Sequence, residues 1–224
     1  MFLPLATASG QTFAGTSPNS TTYEPVEEGG SNGQQGSDRF VASGSLNAHL
    51  AVTPLATFGP FRVLDPQRAA LVAETDARSP RALAAMLKAF PGIIVLEMVE
   101  CPGTEDDNAN LRLGRMIRHA GIDTYVPAGG SVRSGAVELF LAGTHRRAES
   151  QAEFAVHSWK DDQGREPADF APNDPVNQAY VNYYEEMGMS DDQAKAFYAM
   201  TNSVRNSAAR WLTAADMKHY AAFD

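Results

Sequence analysis

Between residues 79 and 98 an amphipathic stripe runs directly into a run that is apolar but for Glu97, and this succession limits the possible folds more than any other feature of the chain. Leu83, Met86, Leu87 and Phe90 recur at i, i+3, i+4 and i+7, one face of a helix. Ser79 stands where an N-cap belongs, Pro80 suits the first helical position, and Pro91-Gly92 closes the segment. "IIVLEM" (Ile93–Met98) then shows no polar alternation, as expected of a strand buried on both faces. The pattern repeats. The loop "VECPGTEDDNAN" leads to a second stripe, Leu113, Met116, Ile117 and Ala120, stopped by Gly121 and followed by the strand "IDTYV". "PAGGSVRSGAVELFLAG" (127–143) is a glycine-rich stretch that opens a third helix, roughly Ser134 to Ala142, ended by Gly143. "EFAVHSW" (Glu153–Trp159) reads as the next strand, and Phe61–Leu64 and Ala69–Glu74 read as strands ahead of the series. Strands alternating with helices imply right-handed parallel crossovers, hence an α/β layered fold with mostly parallel strands and helices outside.

The two ends differ from this middle. Residues 8–48 are rich in Gly, Ser, Thr, Asn and Gln without a sustained apolar period, so 1–57 reads as an irregular arm and 58–224 as the folded domain. The sequon at Asn19 matters only in a glycosylating compartment. After Trp159 comes the polar run "KDDQGREPADFAPND", then a helix starting at Asp174-Pro175. Ser190 with Gln193, and Thr213 with Asp216, are spaced as capping boxes for two further helices, the last of them "AADMKHYAAF".

The totals exclude several functions. A net charge of −9 argues against nucleic acid or an anionic membrane as partner. One cysteine, Cys101, excludes a disulfide framework and a multi-cysteine zinc site. No apolar run approaches the roughly 18 residues of a membrane-spanning helix. HExxH, P-loop and GxGxxG motifs are missing, so no cofactor or metal is expected. Asp106-x-Asn108-x-Asn110 has the start of a calcium loop, but Leu111 replaces its glycine and Ile117 its terminal glutamate. "MFLPLATASG" lacks a basic n-region, leaving periplasmic, secreted and cytoplasmic locations open.

Two residues carry the chemistry that remains. Ser134 falls where a helix begins after a glycine-rich loop. A serine there either caps the helix, the commoner role, or attacks a carbonyl while neighbouring N–H groups hold the oxyanion. Ser131 could equally be a cap or a turn residue. Neither lies in a G-x-S-x-G elbow. His157 ends an apolar strand, where parallel sheets present functional groups, and histidine is the commonest base for a serine. Pro102-Gly103-Thr104 is a tight turn after a buried strand whose N–H groups could face a substrate.

In this order the pieces resemble the ClpP/crotonase superfamily over about residues 60 to 224. "VLEMVECPGT", "NANLRLGRMIRHAGIDTYV", "GGSVRSGAVELFLAG" and "FAVHSW" match the series of turn, helix, strand, nucleophile loop and histidine strand of the Clp protease proteolytic subunit. "HSW" followed by "D-P", "YY", "MG" and a late "W-L-T" is similar to a branch of predicted periplasmic ClpP-like proteins. The resemblance implies a serine peptidase acting on peptides or proteins and assembling as a homo-oligomer, with Ser134 as nucleophile and His157 as base. It places the oxyanion donors at Gly103 or Thr104 and at Gly135. Two departures stand out. Thr104 occupies the second glycine of the oxyanion turn, where its side chain crowds the backbone. Ala209 occupies the position of the third triad member, the aspartate. Either a Ser–His dyad operates or another acid serves. The candidates are Asp161, Asp162, Asp169 and Asp174, and Asn202 or Asn206 could orient the imidazole instead. Without the acid, a binding or assembly protein on the same fold is the alternative, and acyl-CoA chemistry a third.

Overall fold

In a computed structural model of the 224-residue chain, the described residues are 53–224 and one strand, β1 (Tyr23–Pro25). The expected irregular arm therefore lies mostly outside the described residues. Within its span, β1 is an edge strand, and β2 (Ala56–Phe58) begins a hairpin with β3 (Phe61–Val63). The chain continues through β4 (Arg68–Leu71), α1 (Ser79–Ala89), β5 (Val95–Met98), β6 (Glu100–Cys101) and α2 (Asp107–His119). Next come β7 (Asp123–Val126), β8 (Ser131–Arg133), α3 (Ala136–Leu141), β9 (Arg146–Ala148) and β10 (Glu153–Val156). The last elements are α4 (Pro175–Glu186), α5 (Asp191–Thr201), β11 (Ala208–Thr213) and the single turn α6 (Ala214–Met217).

Two sheets form, in the orders β2-β3-β4-β5-β7-β9 and β1-β11-β10-β8-β6. From β4 to β10 every pairing is parallel, and the antiparallel pairs lie at the ends, β2 to β4 in one sheet and β10, β11 and β1 in the other. The chain winds as a spiral. Each turn lays one strand in each sheet, β5 then β6, β7 then β8, β9 then β10, with a helix closing each of the first two turns. This is the mostly parallel α/β fold that the alternating pattern implies.

The apolar stripes account for the packing. Leu83 and Met86 of α1 and Leu113 and Ile117 of α2 are fully buried against Leu96, Met98 and Val126 of the first sheet. Each such side chain contributes roughly 1.5–3 kcal/mol on removal from water. α3 differs from the other helices. All six of its residues are buried, and Tyr183 and Tyr184 of α4 close over it. Its sequence "AVELFL" is apolar around the whole circumference except at Glu138, as a helix at the centre of a core must be.

Several local expectations change. Ser79 does not cap α1. It sits inside the first turn and its Oγ accepts the Asp76 N–H at 2.9 Å. β5 starts only at Val95, and Ile94 is 52% exposed. α3 starts at Ala136 rather than Ser134, because Ser134 has φ +50, outside the extended conformation of an N-cap. β8 and β11 do not stand out in the sequence as strands. β8 has only three residues, and β11, six residues long, carries no sustained apolar alternation; both are held by pairing with strands distant in the chain. The last helix is a single turn, held by the Thr213–Asp216 capping box. No helix among the described residues is long and apolar enough to cross a membrane.

Candidate functional site

Ser134 is the first of the two residues, Ser134 and Gly135, between β8 and α3. Its N–H donates to the Ala155 carbonyl at 2.8 Å and its carbonyl accepts from Val137 at 2.9 Å, which pins the turn from both sides. Among the described residues it alone combines a side chain with a positive φ. A left-handed serine costs about 1–2 kcal/mol and persists only where its surroundings enforce it. The side chain makes no cap bond to α3, so the capping role is absent here. Ser131 is excluded from presentation. It is fully buried, and its Oγ accepts from Arg133, which also pairs with Glu100 at 2.6 Å.

The Pro102-Gly103-Thr104 turn passes directly beside Ser134. Gly103 has φ +141, and a Cβ there would lie 3.0 Å from the Ser134 Cβ and 3.5 Å from its Oγ. Only glycine permits both the conformation and the approach. The Gly103 carbonyl accepts the Thr75 N–H at 3.0 Å, anchoring the turn from behind. Among the described residues the N–H groups of Gly103, Thr104 and Gly135 donate to no protein acceptor. Thr104 turns its hydroxyl into its own loop, where it accepts from the Asp106 N–H at 3.2 Å. Its methyl group falls on Gly135, where an added Cβ would meet it at 2.5 Å. Asn110, buried on α2, donates to the Gly135 carbonyl at 2.6 Å and accepts from the Thr75 hydroxyl at 3.0 Å. Thr75 and Asn110 thus tie the turn before Ser134 to the turn after it. Asn110 was legible only as a polar residue on the apolar stripe that continues through Leu113 and Ile117.

His157 follows β10 and is half-buried. Its Nδ1 lies 2.8 Å from the Ser158 carbonyl oxygen. A carbonyl can only accept, so this bond places the proton on Nδ1 and leaves the Nε2 lone pair as the base. Asn206 Nδ2 lies 3.2 Å from the same Nδ1 and donates to the same carbonyl at 2.9 Å. Ser158 is itself held by Val204, to whose carbonyl both its N–H and its hydroxyl donate. A backbone carbonyl and an amide therefore stand where a triad would have its carboxylate.

Ser134 and His157 line one cavity of about 170 Å³, with Thr104 and Gly135 in its wall. Among the described residues, no hydrogen bond joins Ser134 Oγ to the His157 ring, and catalytic contacts of this kind often close only with substrate bound. The four aspartates of the following loop are not at His157. Asp161 pairs with Arg165, Asp169 accepts the Glu166 N–H, Asp174 caps α4, and Asp162 is exposed. Ala209 lies in β11, paired with Glu24 of β1, and Asn202 reaches the cavity wall without touching His157.

Three further groups belong to this cavity. Lys160 lines its exposed rim. Asp107, at the start of α2, is open to solvent on one side. Desolvation by the cavity wall still pushes its carboxyl up, against the lowering effects of the Tyr180 hydroxyl and of His157. Glu138, one turn beyond Ser134, is pushed up to about 7 by burial, opposed by the Tyr184 hydroxyl that donates to it at 2.7 Å. A single acid within an otherwise apolar helix was the available sequence signal for Glu138. Among the described residues no three His, Cys, Asp or Glu side chains converge as a metal set.

No family model matches the chain, and no curated protein matches it. Among solved structures it is similar to a ClpP1 mutant from Listeria monocytogenes, at 15% identity and a TM-score of 0.46, covering 70% of this chain and 88% of that one. It is also similar to the ClpP protease catalytic domain from Plasmodium falciparum, at 14% identity and a TM-score of 0.47, covering 67% and 79%.

Proposed function

We propose that this chain is a serine hydrolase acting on peptide bonds, with Ser134 as nucleophile and His157 as general base. The observation that carries this reading is the strained turn at Ser134, left-handed at φ +50 beside a glycine that leaves room for nothing larger, facing the same cavity as His157. Strain at one polar residue, enforced by bonds to Ala155 and Val137, is what a presented nucleophile requires and a cap does not. In the reaction Ser134 Oγ attacks the substrate carbonyl and its proton passes to His157 Nε2. The N–H groups of Gly103 or Thr104 and of Gly135 bond the oxyanion. His157 then protonates the leaving amine, and water, activated by the same imidazole, releases the acyl group.

The Ser158 carbonyl sets the tautomer of His157 and Asn206 holds that carbonyl, but neither brings negative charge to the imidazolium. The expected consequence is a slow hydrolase. Two observations favour the second reading, a binding or assembly protein: no described carboxylate bonds His157, and the Thr104 methyl lies on Gly135. Acyl-CoA chemistry fits less well, because Glu105, Asp107 and Glu138 make the cavity acidic, unfavourable to CoA phosphates. A homo-oligomer, a periplasmic or secreted location, and a catalytic unit over 58–224 with an appended arm complete the proposal. Labelling with a fluorophosphonate probe tests it. The wild-type chain should be labelled and the Ser134→Ala chain should not. Equal labelling of both would remove the assignment, and no labelling of either would favour the binding protein.

A further inference from the structure

The two turns whose N–H groups face the cavity are joined behind it by a pair of buried side chains. Thr75, between β4 and α1, is 1% exposed, and Asn110, on α2, is 2% exposed. Thr75 holds the first turn. Its N–H donates to the Gly103 carbonyl at 3.0 Å, and its own carbonyl accepts the Glu105 N–H at 2.9 Å. Asn110 holds the second turn. Its Nδ2 donates to the Gly135 carbonyl at 2.6 Å. A carbonyl only accepts, so this bond fixes the amide: Nδ2 faces Gly135 and Oδ1 faces Thr75. The Thr75 hydroxyl lies 3.0 Å from Asn110 Oδ1 and 3.3 Å from the Gly103 carbonyl, and it has one proton to give. The Gly103 carbonyl already has the Thr75 N–H, whereas Oδ1 has no other donor among the described residues, so the proton belongs to Asn110.

The result is an unbroken link from one turn to the other, through Gly103, Thr75, Asn110 and Gly135. Gly135 has little room to shift within it, because a Cβ there would meet Asn110 Nδ2 at 3.1 Å and the Thr104 methyl at 2.5 Å. Neither Thr75 nor Asn110 lines the cavity, so they act on it through the backbone they hold. Packing alone does not call for an amide at this place. Leu113 and Ile117 continue the same stripe of α2, and a buried amide costs free energy unless it is bonded. A hydrogen-bond site for an oxyanion, by contrast, depends on fixed donor positions. One donor contributes about 10²–10³ in rate, and a misplacement of about 1 Å can cost about 10²-fold.

We infer that Thr75 and Asn110 are positioning residues for the oxyanion hole, holding the N–H groups of the Gly103–Thr104 turn and of Gly135 at one fixed separation. The inference rests on Ser134 being the nucleophile. It is tested by the rate of fluorophosphonate labelling, in which the phosphoryl oxygen takes the oxyanion position while Ser134 displaces fluoride, read together with Tm. Thr75→Val keeps the shape but removes the proton given to Asn110, and it should slow labelling about tenfold. Thr75→Ser keeps the hydroxyl and should label within about threefold of the wild-type rate. Both variants lower the Tm, the first by leaving Asn110 Oδ1 unsatisfied and the second by losing a buried methyl, so a merely structural role would slow both alike. Asn110→Leu should slow labelling at least as much as Thr75→Val, and combining the two should slow it no further, because both break the same link. Labelling of Thr75→Val at the wild-type rate, equal slowing of Thr75→Ser and Thr75→Val, or effects that multiply in the double variant would overturn the positioning role while leaving the nucleophile standing. Failure of the wild-type chain to label at all instead overturns the hydrolase reading, and the positioning role with it.

Discussion

Replacing Glu138 by Gln should change how stability depends on pH. The carboxyl is buried in α3 and its pKa rises from 4.5 to about 7, chiefly by desolvation. At pH below the unfolded value the group is protonated in both states and contributes no penalty. As pH rises from 4.5 towards 7 the unfolded chain releases this proton while the folded chain retains it, so stability falls. Above the folded value the full penalty applies. At roughly 1.4 kcal/mol per pH unit the shift corresponds to about 3 kcal/mol. For a chain of this size that is roughly 6–12 °C in Tm. Glutamine has no proton to lose and retains an acceptor for Tyr184. The assay is thermal unfolding of both proteins at about pH 4 and about pH 8, taking the Tm difference at each. Any constant packing cost of glutamine cancels between the two conditions. The variant should gain on the wild type by roughly 6–12 °C from the acid to the alkaline condition. A Tm difference that is the same at both would refute the argument, because it would mean that folding does not desolvate the carboxyl.

Ser134→Gly should be more stable than Ser134→Ala by about 1 kcal/mol in urea unfolding, since glycine accepts φ +50 without strain; equal stabilities would mean that the turn relaxes. Gly135→Ala should cost about 1–3 kcal/mol through the 2.5 Å contact with the Thr104 methyl, and adding Thr104→Ser should recover part of it; strictly additive effects would place the clash elsewhere. Asn206→Ala should slow fluorophosphonate labelling of Ser134 by about tenfold by loosening the imidazole, with little change in Tm; an unchanged rate would show that the Ser158 carbonyl orients the ring alone.

The helices were legible where a local period carried them. The stripe from Leu83 to Phe90 and the capping boxes at Ser190 and Thr213 involve residues three or four apart, so neighbours in sequence are neighbours on the helix surface. β8 and β11 had no such signal. Ser131–Arg133 is a strand because β6 and β10 lie on either side of it, and those partners are distant in the chain. The same contrast runs through the site. Ser134 and His157 stood out as a loop serine and a strand-end histidine, but the capping and nucleophile roles of Ser134 are indistinguishable from local sequence.

By itself the sequence determined the α/β class, the order of most elements and the two residues able to carry chemistry, because periodicity and residue type are local properties. Only the tertiary structure decided that Ser134 is left-handed rather than a cap, and that Ser131 is buried under Arg133. It also brought the Ser158 carbonyl and Asn206 to His157 in place of the loop aspartates. Glu138, Tyr180 and Asn202 come from α3, α4 and the end of α5, and they meet in one cavity only once the spiral has closed. The Arg133–Ser131 and Ser158–His157 contacts are short in sequence, but the folds that hold them, and the meeting of Asn206, Glu138 and Asn202 at one cavity, depend on contacts between segments tens of residues apart, which no local pattern encodes.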